Sequence, residues 1–233
     1  MFKVKNEAQR ATVYLYGTIG GDFWDADSSN TAKSFSKTLE ELSPKPLDIR
    51  IDSCGGDVYE GFGIASAIQR YEGETTAYID GIAASAASYI AVMADKVVMT
   101  DYSQLMIHDA WTYTCGNAAE LMVAAERLES TDATIAQIIS ARSGMAVEDV
   151  RAAMDEETWY DAKTAVEVGL ADEVVETEQR TAASIDRAIL ARFKHVPDAV
   201  DELEAESHAA NNIPDNEGSR LLVLGNRIYR VKE

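Results

Sequence analysis

Basic residues, cysteine, histidine and long apolar runs are all scarce in this chain, and each shortage removes a class of protein. Lysine and arginine number 21 against 40 aspartates and glutamates, a formal net charge of -19 over 233 residues. Sequence-independent nucleic-acid binding needs a basic surface to neutralise phosphate, so no nucleic-acid partner is expected. The acidic balance itself implies only a solvated acidic surface. The two cysteines, Cys54 and Cys115, have no metal-type spacing and fit a reducing compartment. With three histidines (His108, His195, His208) and no Cys-x-x-Cys or His-x-x-x-His, no metal site is expected. The residues Met1 to Glu7 lack the apolar run of a signal peptide. Gly81 to Met99 comes nearest to a membrane span, but Ser85, Ser88, Asp95 and Lys96 interrupt it. These absences together predict a cytoplasmic protein with no membrane partner.

What the chain does have is alternation of strand and helix signals. Thr12 to Gly17 is β-rich and ends in glycine, and Leu47 to Ile51 alternates before stopping at Ser53-Cys54-Gly55-Gly56. Thr75 to Ile79, Lys96 to Met99 and Gln104 to Ile107 read as further strands. Ser28 to Leu42, Val58 to Tyr71 and Ala84 to Ala94 read as the helices between them. Strands alternating with helices imply α/β organisation with right-handed crossovers. Ala118 to Ser143 is a long helix with Leu121, Ala125, Leu128, Ile135 and Ile139 on its apolar stripe. Val147 to Met154 is a short helix, and Asp161 to Gly169 another, capped by Asp161 and ended by Gly169. Leu170 to Val175 closes the compact part. Beyond about Thr177 the composition shifts, with an acid-rich stretch at Asp198 to Glu206 and strand character only at Arg220 to Val231. Residues 1–176 are therefore read as one domain and 177–233 as an acidic, partly flexible appendage.

The small-residue stretch Gly81-Ile82-Ala83-Ala84-Ser85-Ala86-Ala87-Ser88 is where chemistry is suspected. A serine at a helix start lies among unpaired N–H groups at the positive end of the helix dipole, which suits an alkoxide or oxyanion. Taken alone, the stretch is better explained as close packing of a buried helix, with Ser85 and Ser88 bonded to their own backbone. Gly55-Gly56 at a strand-to-helix junction permits positive φ and close backbone approach, or simply a tight turn. His108 is the only histidine of the compact region and stands at a strand's end, where catalytic side chains are commonly placed. Four carboxylates, Asp155, Glu156, Glu157 and Asp161, lie near Trp159. Asp161 reads as a cap, Asp155 and Glu156 as a solvated helix end, and Glu157 as the choice to orient His108.

Taken together, four segments resemble the Clp-type serine peptidases, and most closely the Clp-like prohead (head) maturation proteases of tailed bacteriophages. They are Ile51-Asp52-Ser53-Cys54-Gly55-Gly56-Asp57-Val58, Gly81 to Ala86, Met106-Ile107-His108, and Trp159-Tyr160-Asp161-Ala162 running through Ala165 to Val174. The resemblance covers roughly Thr12 to Val175, and Tyr14 to Gly20 with Phe23-Trp24 looks like the phage branch. It implies a crotonase-like ββα superhelix with a long helix after the histidine strand. It places the nucleophile on Ser85, the base on His108, the acid on Glu157 where the family has Asp, and the oxyanion hole on the N–H groups of Gly55 and Ala86. It further implies a serine endopeptidase without cofactor, acting on peptide substrates as a homo-oligomeric ring, possible capsid or scaffold proteins among its partners. Cys54 replaces a proline common in the housekeeping Clp peptidases, and dependence on an ATP-driven unfoldase is not implied.

Two other readings stand beside this one. A crotonase-type acyl-CoA enzyme would use the same oxyanion geometry without needing a serine–histidine pair. An inactive capsid-assembly or scaffolding protein would keep the protease fold, with the acidic tail as a scaffold or propeptide segment.

Overall fold

Burial alternates along β2 (Ala11–Tyr16) and the first part of β3 (Leu47–Ser53), which puts Ala11, Val13, Leu15, Leu47, Ile49 and Ile51 on one face of a sheet. The structure, a computed structural model, describes residues 3–21, 30–42, 44–176 and 187–200, with the backbone of 220–224 and 227–231. Parallel pairing runs from β2 through β3 to β4 (Thr75–Ala84) and β5 (Lys96–Thr100), and β8 (Glu173–Val175) pairs parallel with β5. β1 (Lys3–Asn6) adds an antiparallel edge on β2. Helices α1 (Ala32–Glu41), α2 (Val58–Gln69) and α3 (Ala86–Ala91) fill the crossovers. This is the α/β alternation expected from the sequence.

Local chemistry sets the helix starts. Thr31 caps α1 by accepting from Ser34 N, and Asp57 caps α2 by accepting from Tyr59 N and Glu60 N. The predicted first helix began at Ser28; residues 28 and 29 lie outside the described residues. α2 and α3 approach closely at Gly61, where any side chain would strike the hydroxyl of buried Tyr89. That hydroxyl donates to Val58 O at 2.9 Å.

β4 is the element that shapes the site. Its first half pairs with β5 through Ile79, and its second half, Ile82 to Ala84, pairs with β6 (Gln104–Ile107) instead. Opposite the switch, β3 shifts register between Ile51 and Ser53, and buried Asp52 accepts from Ile82 N at 3.2 Å. Tyr16 O–H and Arg50 Nε both donate to Asp80 on β4, at 2.6 and 2.8 Å. The helix predicted from Ala84 therefore starts two residues later. Pairing with β6 continues as far as the bond from Ser85 N to Met106 O (3.0 Å), and these ladder bonds outweigh the helix propensity of alanine.

After β6 come α4 (Ala118–Ser143), with the capping box of Asn117 and Glu120, α5 (Val147–Asp155), β7 (Thr158–Asp161) and α6 (Ala162–Glu167). Asp161 caps α6 by accepting from Thr164 N at 2.7 Å, as its position predicts. β7, which the sequence pattern left unassigned ahead of the helix at Asp161, pairs antiparallel with β6. Past the compact domain, a single-turn helix, α7 (Arg187–Leu190), leads into residues 191–200, which pack back on it. β9 (Arg220–Leu224) and β10 (Arg227–Val231) form an antiparallel pair. No helix among the described residues is long and apolar enough to cross a membrane.

Candidate active site

Three neighbouring strands end together, and the residue one step beyond each end carries a candidate site side chain. Ala84, the last residue of β4, is in register with Met106 of β6. Ile107, the last of β6, is in register with Thr158, the first of antiparallel β7. Ser85, His108 and Glu157 are thus brought to one edge by strand register, although far apart in sequence. Ser85 Oγ and His108 Nε2 lie 2.8 Å apart. Carboxyl ends of parallel strands are where open α/β sheets commonly carry their sites.

Ser85 stands on a sharp strand-to-helix turn, with φ 55 and ψ -122. A non-glycine residue in this region is strained and is held there only by its surroundings. Here the holding is by Ser85 N–H on Met106 O and by Ser88, whose N–H and hydroxyl both bond to Ser85 O at 3.0 and 2.7 Å. The same bonds separate Ser85 from Ser88, its neighbour on the small-residue stretch. Ser88 is buried and bonded into the helix, whereas Ser85 directs its hydroxyl at His108.

Gly55-Gly56 lies against this turn. Gly55 has φ 92, and a Cβ on it would come within 2.7 Å of Ala84 O, 2.8 Å of Ser85 Cβ and 2.9 Å of Ala86 N. Ile19 clamps the pair from the other side, its N–H donating to Gly55 O (2.8 Å) and its carbonyl accepting from Asp57 N (2.9 Å). Ala86 N–H, in the first turn of α3, has no hydrogen-bond acceptor among the described residues. The Gly55 amide, expected to point beside it, instead donates to Ser53 Oγ at 3.1 Å. The next amide, that of Gly56, has no acceptor among the described residues.

The four candidate carboxylates separate by position. Asp155 and Glu156 are exposed, Asp161 is exposed and occupied as a cap, and Glu157 is buried at 6% exposure. Glu157 occupies the position after the C-cap of α5 with φ 54, a left-handed ending that glycine usually takes, and its N–H bonds to Met154 O at 3.0 Å. Its Oε1 accepts from the amides of Lys194 and His195, at 2.6 and 2.8 Å. Burial pushes the His108 imidazole down to about 4; the Glu157 carboxylate works against that shift and the Lys194 ammonium adds to it. Phe193 sets its ring edge-on to His108 with centroids 5.3 Å apart, and Trp159 meets Phe193 at 5.8 Å.

Sequence reasoning missed this last contribution. Phe193, Lys194 and His195 lie in the part read as an appendage, and no spacing links them to the serine or histidine strands. The sequence also left Ser53 as part of a turn, with no sign that its hydroxyl would take the Gly55 amide.

A family model described as Clp protease matches residues 19–178. An ATP-dependent Clp protease proteolytic subunit of Porphyromonas gingivalis is 30% identical over 159 residues, covering 67% of this chain and 72% of the relative. A protein of the same description from Bacteroides fragilis is 30% identical over 154 residues, covering 65% of this chain and 74% of the relative. Among solved structures, a ClpP1 mutant from Listeria monocytogenes aligns with a TM-score of 0.61 at 26% identity, over 72% of this chain and 92% of that one.

Proposed function

The chain belongs to the Clp protease family and is a serine-type peptidase, and we propose that Ser85, His108 and Glu157 are its nucleophile, base and orienting acid. The observation that carries this is the 2.8 Å contact between Ser85 Oγ and His108 Nε2 on a strained turn at the strand ends. His108 Nε2 takes the hydroxyl proton as Ser85 Oγ attacks the peptide carbonyl. The oxyanion forms against Ala86 N–H and the glycine turn, where Gly56 N–H is the donor left open once Ser53 holds Gly55. His108 then protonates the leaving amine and activates water to hydrolyse the acyl-enzyme. Glu157, opposite His108 by register, orients the imidazole and stabilises its protonated form. A fluorophosphonate should label the wild-type protein and leave Ser85→Ala untouched. Equal labelling of both would remove Ser85 from the nucleophile's role.

The biological substrate proposed is a phage head protein, a capsid or scaffold chain, with the protein's own tail as a further candidate. Support comes from the phage-like stretch at Tyr14 to Gly20 and from the long extension beyond the family match. Co-expression of wild type or Ser85→Ala with a candidate scaffold tests it: a scaffold trimmed only by wild type is expected. Cleavage that occurs only with an ATP-driven unfoldase would favour the role named for the bacterial relatives.

Self-association is proposed through α4. Clp proteases form homo-oligomeric rings, and the first half of α4 leaves Leu121, Met122 and Val123 exposed while Ile135 and Ile139 are buried. Exposed apolar groups in such a run mark interaction surfaces. Paired Leu121→Asp and Met122→Asp changes should lower the mass seen by native mass spectrometry. An unchanged assembly would move the interface elsewhere.

A further inference from the structure

The segment Phe193-Lys194-His195 lies beyond the family match, which ends at residue 178. The solved Listeria chain is covered over 92% of its own length but accounts for only 72% of this one. Yet this added segment touches the acid and the base of the proposed triad. Two successive amides converge on one oxygen of Glu157, at 2.6 and 2.8 Å, and no other side-chain bond to Glu157 is found among the described residues. A buried carboxylate without partners would be costly, so these amides supply what the pocket itself does not. They also restrict a side chain with one more torsion than an aspartate, and this carboxylate is close enough to favour the protonated form of His108 electrostatically.

The remainder of the segment is anchored. Leu190 and Val200 are buried in an apolar cluster with Cys54, Ile82, Ala84 and Met106, while Trp159 and Phe193 pack on its edge. This cluster lies under the same strand ends that carry Ser85 and His108, so the segment is seated by the sheet itself. The Ser85–His108 contact is formed with the segment in place, and both residues keep partial exposure to solvent. We infer that Phe193-Lys194-His195 is a positioning element of the active site, in which two backbone amides fix Glu157 and the phenyl ring walls His108, so that the C-terminal extension completes the catalytic centre. The inference rests on the triad assignment given above.

Full-length His195→Pro and Lys194→Pro each delete one amide donor while keeping Ser85, His108 and Glu157. Each should lower kcat for a peptide substrate by about ten- to hundredfold with little change in KM, the scale expected when a catalytic group is misplaced. His195→Pro should not lower kcat further in a Glu157→Gln background, because that amide acts only through the carboxylate. Unchanged kcat, an equal loss from His195→Pro in the Glu157→Gln background, or a rise in kcat (the mark of an inhibitory cap) would each overturn the inference. Should the proline variants melt near the assay temperature, Phe193→Ala decides: the acid limb of its pH–rate profile should move upward as water reaches His108. An unmoved limb counts against the inference. Labelling of Ser85→Ala as fast as wild type would instead defeat the triad assignment itself.

Discussion

Ser85 and Glu157 are the two non-glycine residues with positive φ among the described residues, at 55 and 54 degrees, and both flank His108. Strain of this kind costs on the order of 1–3 kcal/mol per residue and persists where surrounding structure over-determines it. Its concentration at one histidine has a geometric cause. Ser85 leaves β4 for α3 sharply, with its hydroxyl on the imidazole, and Glu157 leaves α5 for β7 at the strand end beside it.

In the proposed triad Glu157 stands on a turn that suits glycine better. Glu157→Gln should lower kcat by about four orders of magnitude, the scale seen when a triad acid loses its charge but keeps its shape. Glu157→Asp should fall between the two, because the shortened carboxylate loses reach to His108 or to the amides of Lys194 and His195. Steady-state kinetics on a chromogenic peptide will check both, and full activity of the Gln variant would remove Glu157 from the mechanism.

The pH dependence follows from the buried imidazole. A base must be neutral, and His108 takes up a proton only near pH 4 rather than at the usual 6.5. Activity should thus survive well below pH 6, with the acid limb of kcat/KM near 4 to 5, provided the fold holds. A limb at 6.5 would show that His108 is more hydrated than the structure has it.

The same group makes stability pH-dependent. Its folded value is depressed, so the unfolded chain takes up the proton first, around 6.5, and the stabilisation present above that value is lost as pH falls towards 4. The full effect is at most about 3 kcal/mol. Urea midpoints at pH 7 and pH 4.5 should differ more for wild type than for His108→Gln, and equal differences would contradict the assignment.

Glycine substitutions should separate strain from function. Gly55→Ala places a Cβ against Ala84 O, Ser85 Cβ and Ala86 N at φ 92, so activity should be lost together with about 1–3 kcal/mol of stability. Gly144→Ala, at φ 75 with nothing within 4 Å, should cost about 1 kcal/mol and leave kcat unchanged. Thermal melts and peptide hydrolysis on the two variants make the comparison, and an active Gly55→Ala would refute the close approach.

Asp132 offers a test remote from the reacting atoms. It is buried on α4 and accepts from Ala110 N at 2.6 Å, two residues past His108. Asp132→Ala should cost about 1–3 kcal/mol by leaving that amide unpaired, and Asp132→Asn, which keeps an acceptor, should cost less. Equal melting temperatures for the two variants would count against the bond.

Much of the fold was legible because periodicity is local. The strand at Gln104 to Ile107, the helix over Ala118 to Ser143 and the cap at Asp161 follow from alternation, from apolar spacing and from a side chain that reaches its own backbone. The misplaced helix start at Ala84 and the unseen strand at Thr158 share a different cause. Both depend on pairing with β6, and a pairing partner cannot be read from either segment alone.

By itself, the sequence determined which residues could do chemistry and in what order they come, since side-chain identity and local spacing are written there directly. It favoured Ser85 only through segments far along the chain, and it could not fix the turn that holds Ser85, nor say which glycine amide has no acceptor among the described residues, nor bring residues 193–195 to Glu157. Those decisions belong to the tertiary structure, because each rests on hydrogen bonds between segments distant in the chain: Ser85 N–H on Met106 O, Gly55 N–H on Ser53 Oγ beneath the Ile19 clamp, and two late amides on one buried carboxylate.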